Sequence, residues 1–246
     1  MADWNDTRQQ TGFSSVPRAG DAVARRATYD TGLRAHMLKI YNYMTSGVLL
    51  TGIVALLAYS SGLAVNFASG PLMWIVALSP LAIVFAMSFG ANRFSTPTLQ
   101  AMFWGFAALM GLSMSTIFLR FTGESIAATF FATAGAFAGL SLYGYTTKKD
   151  LSGFGTFLIM GVVGLLIAMV LNIFLQSSAL GLAISFLGVL IFAGLTAYDT
   201  QRLKEQYAML RGSDFAGKAV VLGALTLYLD FINMFQFLLS FMGNRN

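Results

Sequence analysis

The sequence predicts an all-α integral membrane protein with seven spanning helices, and three observations predict it. First, 57% of its 246 residues are hydrophobic and only 10% are charged, with a mean hydropathy of +0.70; soluble domains carry about 25% charged residues. Second, seven apolar runs follow one another, each of about 18–22 residues, enough to cross about 30 Å of hydrocarbon at about 1.5 Å per residue. Third, lysine and arginine alternate between connections, heavy on one side and sparse on the other.

Residues 1–36 come first and are polar. Arg8, Arg18, Arg25, Arg26 and Arg34 interleave with Asp3, Asp6, Asp21 and Asp30, which reads as a disordered cytoplasmic tail. The stretch is too long and too mixed in charge for a secretory n-region, and too acidic for an Arg-rich mitochondrial presequence. The membrane domain is 37–246. Its spans are Tyr41–Tyr59, Leu72–Phe89, Leu99–Phe118, Ile126–Tyr145, Phe154–Phe174, Leu180–Tyr198 and Val220–Phe241. Small or turn-forming residues punctuate the joints: Ser60-Ser61-Gly62, Gly70-Pro71, Pro97, Gly123 and Ser177-Ser178. Most connections are short, so successive spans are antiparallel neighbours.

Basic residues fix the expected orientation. With the N-terminus inside, the five tail arginines and Lys39, then Arg93, then Lys148 and Lys149, then Arg202, Lys204, Arg211 and Lys218 all lie on the cytoplasmic side. Only Arg120 and Arg245 fall outside. Thirteen of the fifteen basic residues are thus inside, with the C-terminus outside. This distribution also argues against nucleic acid as a partner, because the charge lines loops rather than an aromatic-studded face.

The absence of cysteine removes thiolate metal sites and cysteine nucleophiles. His36 is the only histidine, so a histidine-based metal site is excluded as well.

The last span, VVLGALTLYLDFINMFQFLLSF, holds one carboxylate, Asp230, near its middle. An acid there costs roughly 3 kcal/mol on insertion scales and needs a partner, water or a proton. Gly223, Thr226, Asp230 and Asn233 share one helical face, a small and polar stripe that faces protein or water rather than lipid. The stripe reads either as a cation or proton path or as glue between helices, and Asn172 on the fifth span reads as glue. A second acid, Asp199, closes the sixth span. It has two readings: a solvated end-of-helix acid beside Arg202 and Lys204, or half of a pair with Asp230. The pair requires the sixth helix to run on past Asp199, through Glu205. Two carboxylates sharing a site cannot both ionise cheaply, so such a pair holds a proton and titrates as a unit. Arg93, just past the second span, is the nearest cation able to reach inward, and it also reads as a positive-inside anchor. Glu124 reads as a solvated acid of an outer loop.

The stretches Gly194–Glu205, GLTAYDTQRLKE, and Leu227–Phe237, LYLDFINMFQF, resemble the transmembrane Bax inhibitor motif family, and the loop 147–152, TKKDLS, is similar too. The resemblance covers roughly residues 37–242. It implies a seven-helix fold with the last helix central, wrapped by the first six as two three-helix layers. It further implies a pH-sensitive calcium leak in which Asp199 and Asp230 are hydrogen-bonded when closed and release the pore when their protonation changes, with Arg93 matching a basic residue of the switch. The chain departs from some relatives in lacking an acid in the second span and a charged C-terminal tail, which weakens a role for that span in any calcium path and for a tail-based pH sensor.

The leading expectation is therefore a calcium-permeable leak gated by Asp199 and Asp230, with Thr226 and Asn233 lining the path. The carboxylates would hold Ca²⁺ weakly and transiently, as the transported ion rather than a resident cofactor. Calcium ions, protons and the lipid bilayer are its partners; the sequence names no protein partner, although the polar tail is a candidate regulatory surface. A proton-coupled cation transporter is the alternative. An intramembrane aspartyl protease would also use two aspartates, but the Gly-x-Gly and Pro-Ala-Leu elements of such enzymes are absent, so a non-enzyme is expected. A retinal-type receptor is excluded because the last span contains no lysine for a Schiff base. Absent cysteine, high alanine and glycine content and no targeting segment point to a bacterial inner membrane.

Overall fold

A computed structural model describes residues 19–68 and 72–245, with side chains over 29–66 and 74–245. Helices are α1 (Ala19–Ser60), α2 (Leu63–Ala68), α3 (Leu72–Gly90), α4 (Thr96–Met114), α5 (Ile117–Arg120), α6 (Gly123–Thr146), α7 (Ser152–Leu175), α8 (Ser178–Leu210) and α9 (Ala216–Met242). The chain divides into two units, one ending at Ala35 and the other running from His36 onward.

Six helical stretches among the described residues are long and apolar enough to cross a membrane: 29–60, 96–120, 123–146, 152–175, 178–210 and 216–242. The described side chains of α3, Trp74–Gly90, form a shorter apolar helix, so the count of seven expected from sequence is not reached by length alone. The tail also differs from expectation. Residues 19–36, read as disordered, are helical and continue into the first span; residues 1–18 lie outside the described residues.

Local chemistry explains the breaks. Pro80 lies inside α3 and cannot donate to the carbonyl of Val76. The Ser79 hydroxyl donates to that carbonyl instead, at 3.1 Å, which keeps the freed group satisfied without water. The expected third span is broken between α4 and α5, where Ser115 and Thr116 donate to the carbonyls of Leu112 and Ser113 at 2.7 and 3.1 Å. Ser95, Thr122 and Ser177 cap α4, α6 and α8 by accepting the N–H of Thr98, Ser125 and Leu180.

Burial singles out α9. Its most apolar window is 67% buried, against 11–33% for the other candidate spans. Val221, Ala224 and Tyr228 are fully buried on one side of it and Gly223 and Asp230 are buried on the other, and it packs on α8, α6 and α4. From His36 on, α1 presents Met37, Ile40, Met44, Val48, Thr51, Ala55 and Ala58 as one buried stripe at steps of three and four. The outer helices leave large apolar side chains exposed, among them Trp74, Phe131, Ile173 and Phe174, as hydrocarbon-facing surfaces do.

Candidate functional site

The site forms where α8 and α9 cross, and α8 makes it possible by not stopping at Tyr198. It runs on through Thr-Gln-Arg-Leu-Lys-Glu-Gln to Leu210, a run rich in straight-chain residues that lose little freedom in a helix. Thr200, Gln201 and Leu203 of this polar extension are buried against protein. Asp199 is therefore an interior residue, 8% exposed, rather than an end-of-helix acid; Asp230 is 4% exposed. The two carboxyl groups are within hydrogen-bonding reach of each other. Oδ2 of Asp230 is buried with no N–H or O–H donor beside it. The condition for pairing, a sixth span that continues past Asp199, is met.

Neighbouring groups complete the site. Arg202, one turn beyond Asp199 on α8, is the cation in electrostatic reach of that acid. Arg93 is exposed in the turn after α3, where its backbone N–H donates to Gly90 at 2.9 Å. A cavity of about 390 Å³ leads from the α8–α9 turn down to Asp199, and its wall includes Arg202, Gln206, Phe215, Gly223 and Thr226. Thr226 thus borders the cavity while its hydroxyl donates to the Leu222 carbonyl at 3.2 Å. Asn233 donates to the Leu229 carbonyl of its own helix at 2.8 Å, and does not border this cavity. At the opposite end of α9 a second cavity, about 220 Å³, is lined by Gln236, Leu239 and Ser240 with Ser113, Thr116 and Arg120.

Four supports hold the site, and residue spacing had signalled none of them. Tyr41, Ser141 and Thr200 form a hydroxyl chain across α1, α6 and α8, with steps of 2.5 and 2.9 Å. Gly144 lies so close to the α8 backbone that a Cβ there would collide with the Ala197 carbonyl oxygen. Gln201 clamps the α6–α7 connection from both sides: its amide donates to Lys149 O at 2.8 Å and its carbonyl accepts from Leu151 N–H at 2.9 Å. On α9, Tyr228 donates to the Thr51 hydroxyl at 2.6 Å, because Thr51 commits its own proton to the backbone, with Ala107 O at 2.8 Å. Arg202 did carry a sequence signal, the three-residue step from Asp199.

Two lysines of the predicted inner loops have structural partners. Lys204 Nζ donates to Tyr145 O at 2.8 Å and Lys218 Nζ to Ala91 O at 3.2 Å, carbonyls at or just past the C-terminal ends of α6 and α3, where cations are favoured. Among the described residues no cluster of three His, Asp or Glu could hold a metal ion.

A family model described as "Inhibitor of apoptosis-promoting Bax1" matches residues 33–246, which include both acids, α2–α9 and α1 from residue 33 onward. The chain belongs to the Bax inhibitor family. Three relatives of similar length come from bacteria. The Escherichia coli (strain K12) protein named "Inner membrane protein YbhL" is 43% identical over 233 residues, covering 93% of this chain and 98% of its own. An uncharacterized Caulobacter vibrioides protein is 50% identical over 229 residues, covering 88% and 91%. Uncharacterized protein RP147 of Rickettsia prowazekii is 42% identical over 225 residues, covering 91% and 95%. The Bax inhibitor family member described here is thus an all-helical membrane protein akin to those of several bacteria.

Proposed function

We propose that this Bax inhibitor family protein is a pH-sensitive, calcium-permeable leak of the bacterial inner membrane, gated by Asp199 and Asp230. One observation carries the reading: two buried carboxyls on consecutive helices lie in hydrogen-bonding reach of each other, and one of them, Asp199, lines a cavity beside the α8–α9 turn. A hydrogen bond between carboxyls needs one shared proton. While it is held, α8 and α9 are latched and the cavity ends blind. As pH rises the proton leaves, two like charges face each other in a low dielectric, and the helices are driven apart. Arg202 then offsets part of the new charge on Asp199. Thr226 lines the opened path, Asn233 continues it once its amide leaves Leu229, and Arg93 serves the switch only by moving inward from its exposed turn. Ca²⁺ crosses as cargo, meeting the carboxylates weakly and transiently.

In the same reading α3 crosses as the seventh span, and the helices before α9 wrap it as two three-helix layers. The N-terminus is cytoplasmic and the C-terminus outside, on the strength of the lysine and arginine distribution. The relative named as an inner membrane protein supports the compartment. The protein is not an enzyme in this reading.

The deciding experiment is calcium flux into proteoliposomes across pH 5–8. Wild-type flux rises with pH, whereas Asp199→Asn and Asp230→Asn, which keep a hydrogen-bonding amide but cannot release a proton, give a flat profile. Variants that retain the wild-type flux and pH response sink the reading. Flux driven by a pH gradient against a calcium gradient would favour the proton-coupled transporter instead.

A further inference from the structure

The polar edge of α9 does not end at Asn233. Gln236 follows it by three residues and Ser240 follows Gln236 by four, so Gly223, Thr226, Asp230, Asn233, Gln236 and Ser240 form one slowly rotating stripe along the helix. The inner cavity touches this stripe at Gly223 and Thr226, and the outer cavity touches it at Gln236 and Ser240. The two points of contact are about ten residues apart, or about 15 Å along the helix, and Asp230 lies between them. Neither observation depends on the other: one is a spacing in the sequence, the other a pair of voids in the packing.

Gln236 sharpens the case. An amide on a membrane-crossing helix is costly unless it is hydrogen-bonded or wet. Among the described residues its side chain forms no hydrogen bond, and it is exposed on the wall of a cavity with room for several waters. Its neighbours Ser113 and Thr116 add hydroxyls from α4 and the joint that follows it. Arg120 is the only charged residue on that wall. Glu124, in the first turn of α6, does not border the cavity.

We propose that this cavity is the outer half of the cation path, with Gln236 as its conducting ligand and Arg120 as an electrostatic brake at its mouth. The inference rests on the leak reading above and adds to it the residues on the far side of the acid pair. A cation leaving the carboxylates meets the Asn233 and Gln236 amide oxygens and then rehydrates in water. A guanidinium at the mouth repels cations over a distance set by ionic strength, which keeps such a path a slow leak.

The test is calcium flux into proteoliposomes at pH 8 for Gln236→Leu, Gln236→Asn, Arg120→Gln and Arg120→Glu, with Asp230→Asn alongside. Thermal melts and size-exclusion profiles establish that each variant is folded. Gln236→Leu lowers flux at least fivefold and Gln236→Asn restores most of it. Arg120→Glu raises flux at least twofold at low ionic strength, more than Arg120→Gln, and the gain shrinks as salt is raised, a dependence that a packing role would not produce. If Asp230→Asn alters flux while the Gln236 and Arg120 variants match wild type, the outer path is wrong and the gate stands. If Asp230→Asn also matches wild type, both readings fall.

Discussion

At the scale of single residues, burial without an alternative partner is what gives side chains their weight here. Tyr228 is fully buried on α9 and its hydroxyl has one described partner, Thr51. Tyr228→Phe removes both the donor and its need, and costs about 1 kcal/mol. Thr51→Val leaves the Tyr228 hydroxyl and the Ala107 carbonyl short of a partner and costs more, about 2–3 kcal/mol. Thermal melts of the two variants in the same detergent check the order. Asp199 and Asp230 follow the same logic with protons in place of hydroxyls, so asparagine at either position is expected to leave the bundle folded while removing the response to pH. Arg202→Gln removes the counter-charge of Asp199 and shifts the pH dependence of flux without abolishing it, which a flux titration reads directly.

Between helices the controlling feature is how closely backbones approach. Gly144 lets α6 lie against α8 beside Ala197, two residues before Asp199. Gly144→Ala places a methyl against a carbonyl that cannot yield, so the cost falls at the upper end of overpacking, about 3 kcal/mol. Denaturant titration of the folded fraction measures it. The α6–α7 connection obeys a different rule. Gln201→Ala frees Lys149 O and Leu151 N–H together, and amide exchange at Leu151 is expected to rise while the helices on either side keep their protection. In the same connection, hydrogen bonds from the Ser152 hydroxyl, and then from its backbone N–H, hold the Asp150 carboxyl below the usual carboxylate range. A lowered acid stabilises the folded turn above its ordinary pKa, and that contribution is lost as pH falls through the lower folded value. The protection of the Ser152 amide, measured against its intrinsic exchange rate, therefore falls as the solution is acidified below the ordinary carboxylate range, and Asp150→Asn removes that dependence.

For the molecule as a whole, orientation is the property on which every functional statement depends. The chain has no cysteine, so single cysteines report sidedness without background. Lys148→Cys, between α6 and α7, and Glu124→Cys, at the start of α6, occupy opposite ends of the bundle. An impermeant maleimide added to spheroplasts labels the second and not the first if the lysine and arginine distribution has been read correctly. The reverse pattern inverts the inner and outer cavities and with them the proposed direction of leak.

Length and hydrophobicity are additive along a chain, which is why the apolar runs, the all-helical class, the family and the cost of Asp230 could be read from the sequence alone. Hydropathy measures where lipid ends, not where a helix ends. It therefore closed the sixth span at Tyr198, although α8 continues to Leu210, and assigned residues 19–36 to a tail although they are helical. The broken third span escaped notice for a related reason, since Ser115 and Thr116 change the backbone without changing the average polarity. Only the tertiary structure decided that Asp199 and Asp230 come within reach of each other, that Arg93 stays exposed in the turn after α3, and that α9 is the buried helix. Each of these depends on how far one helix slides and rotates against another. Helix sliding is set by close contacts such as Gly144 on Ala197 and Tyr228 on Thr51, pairs separated by scores of residues that no local pattern connects.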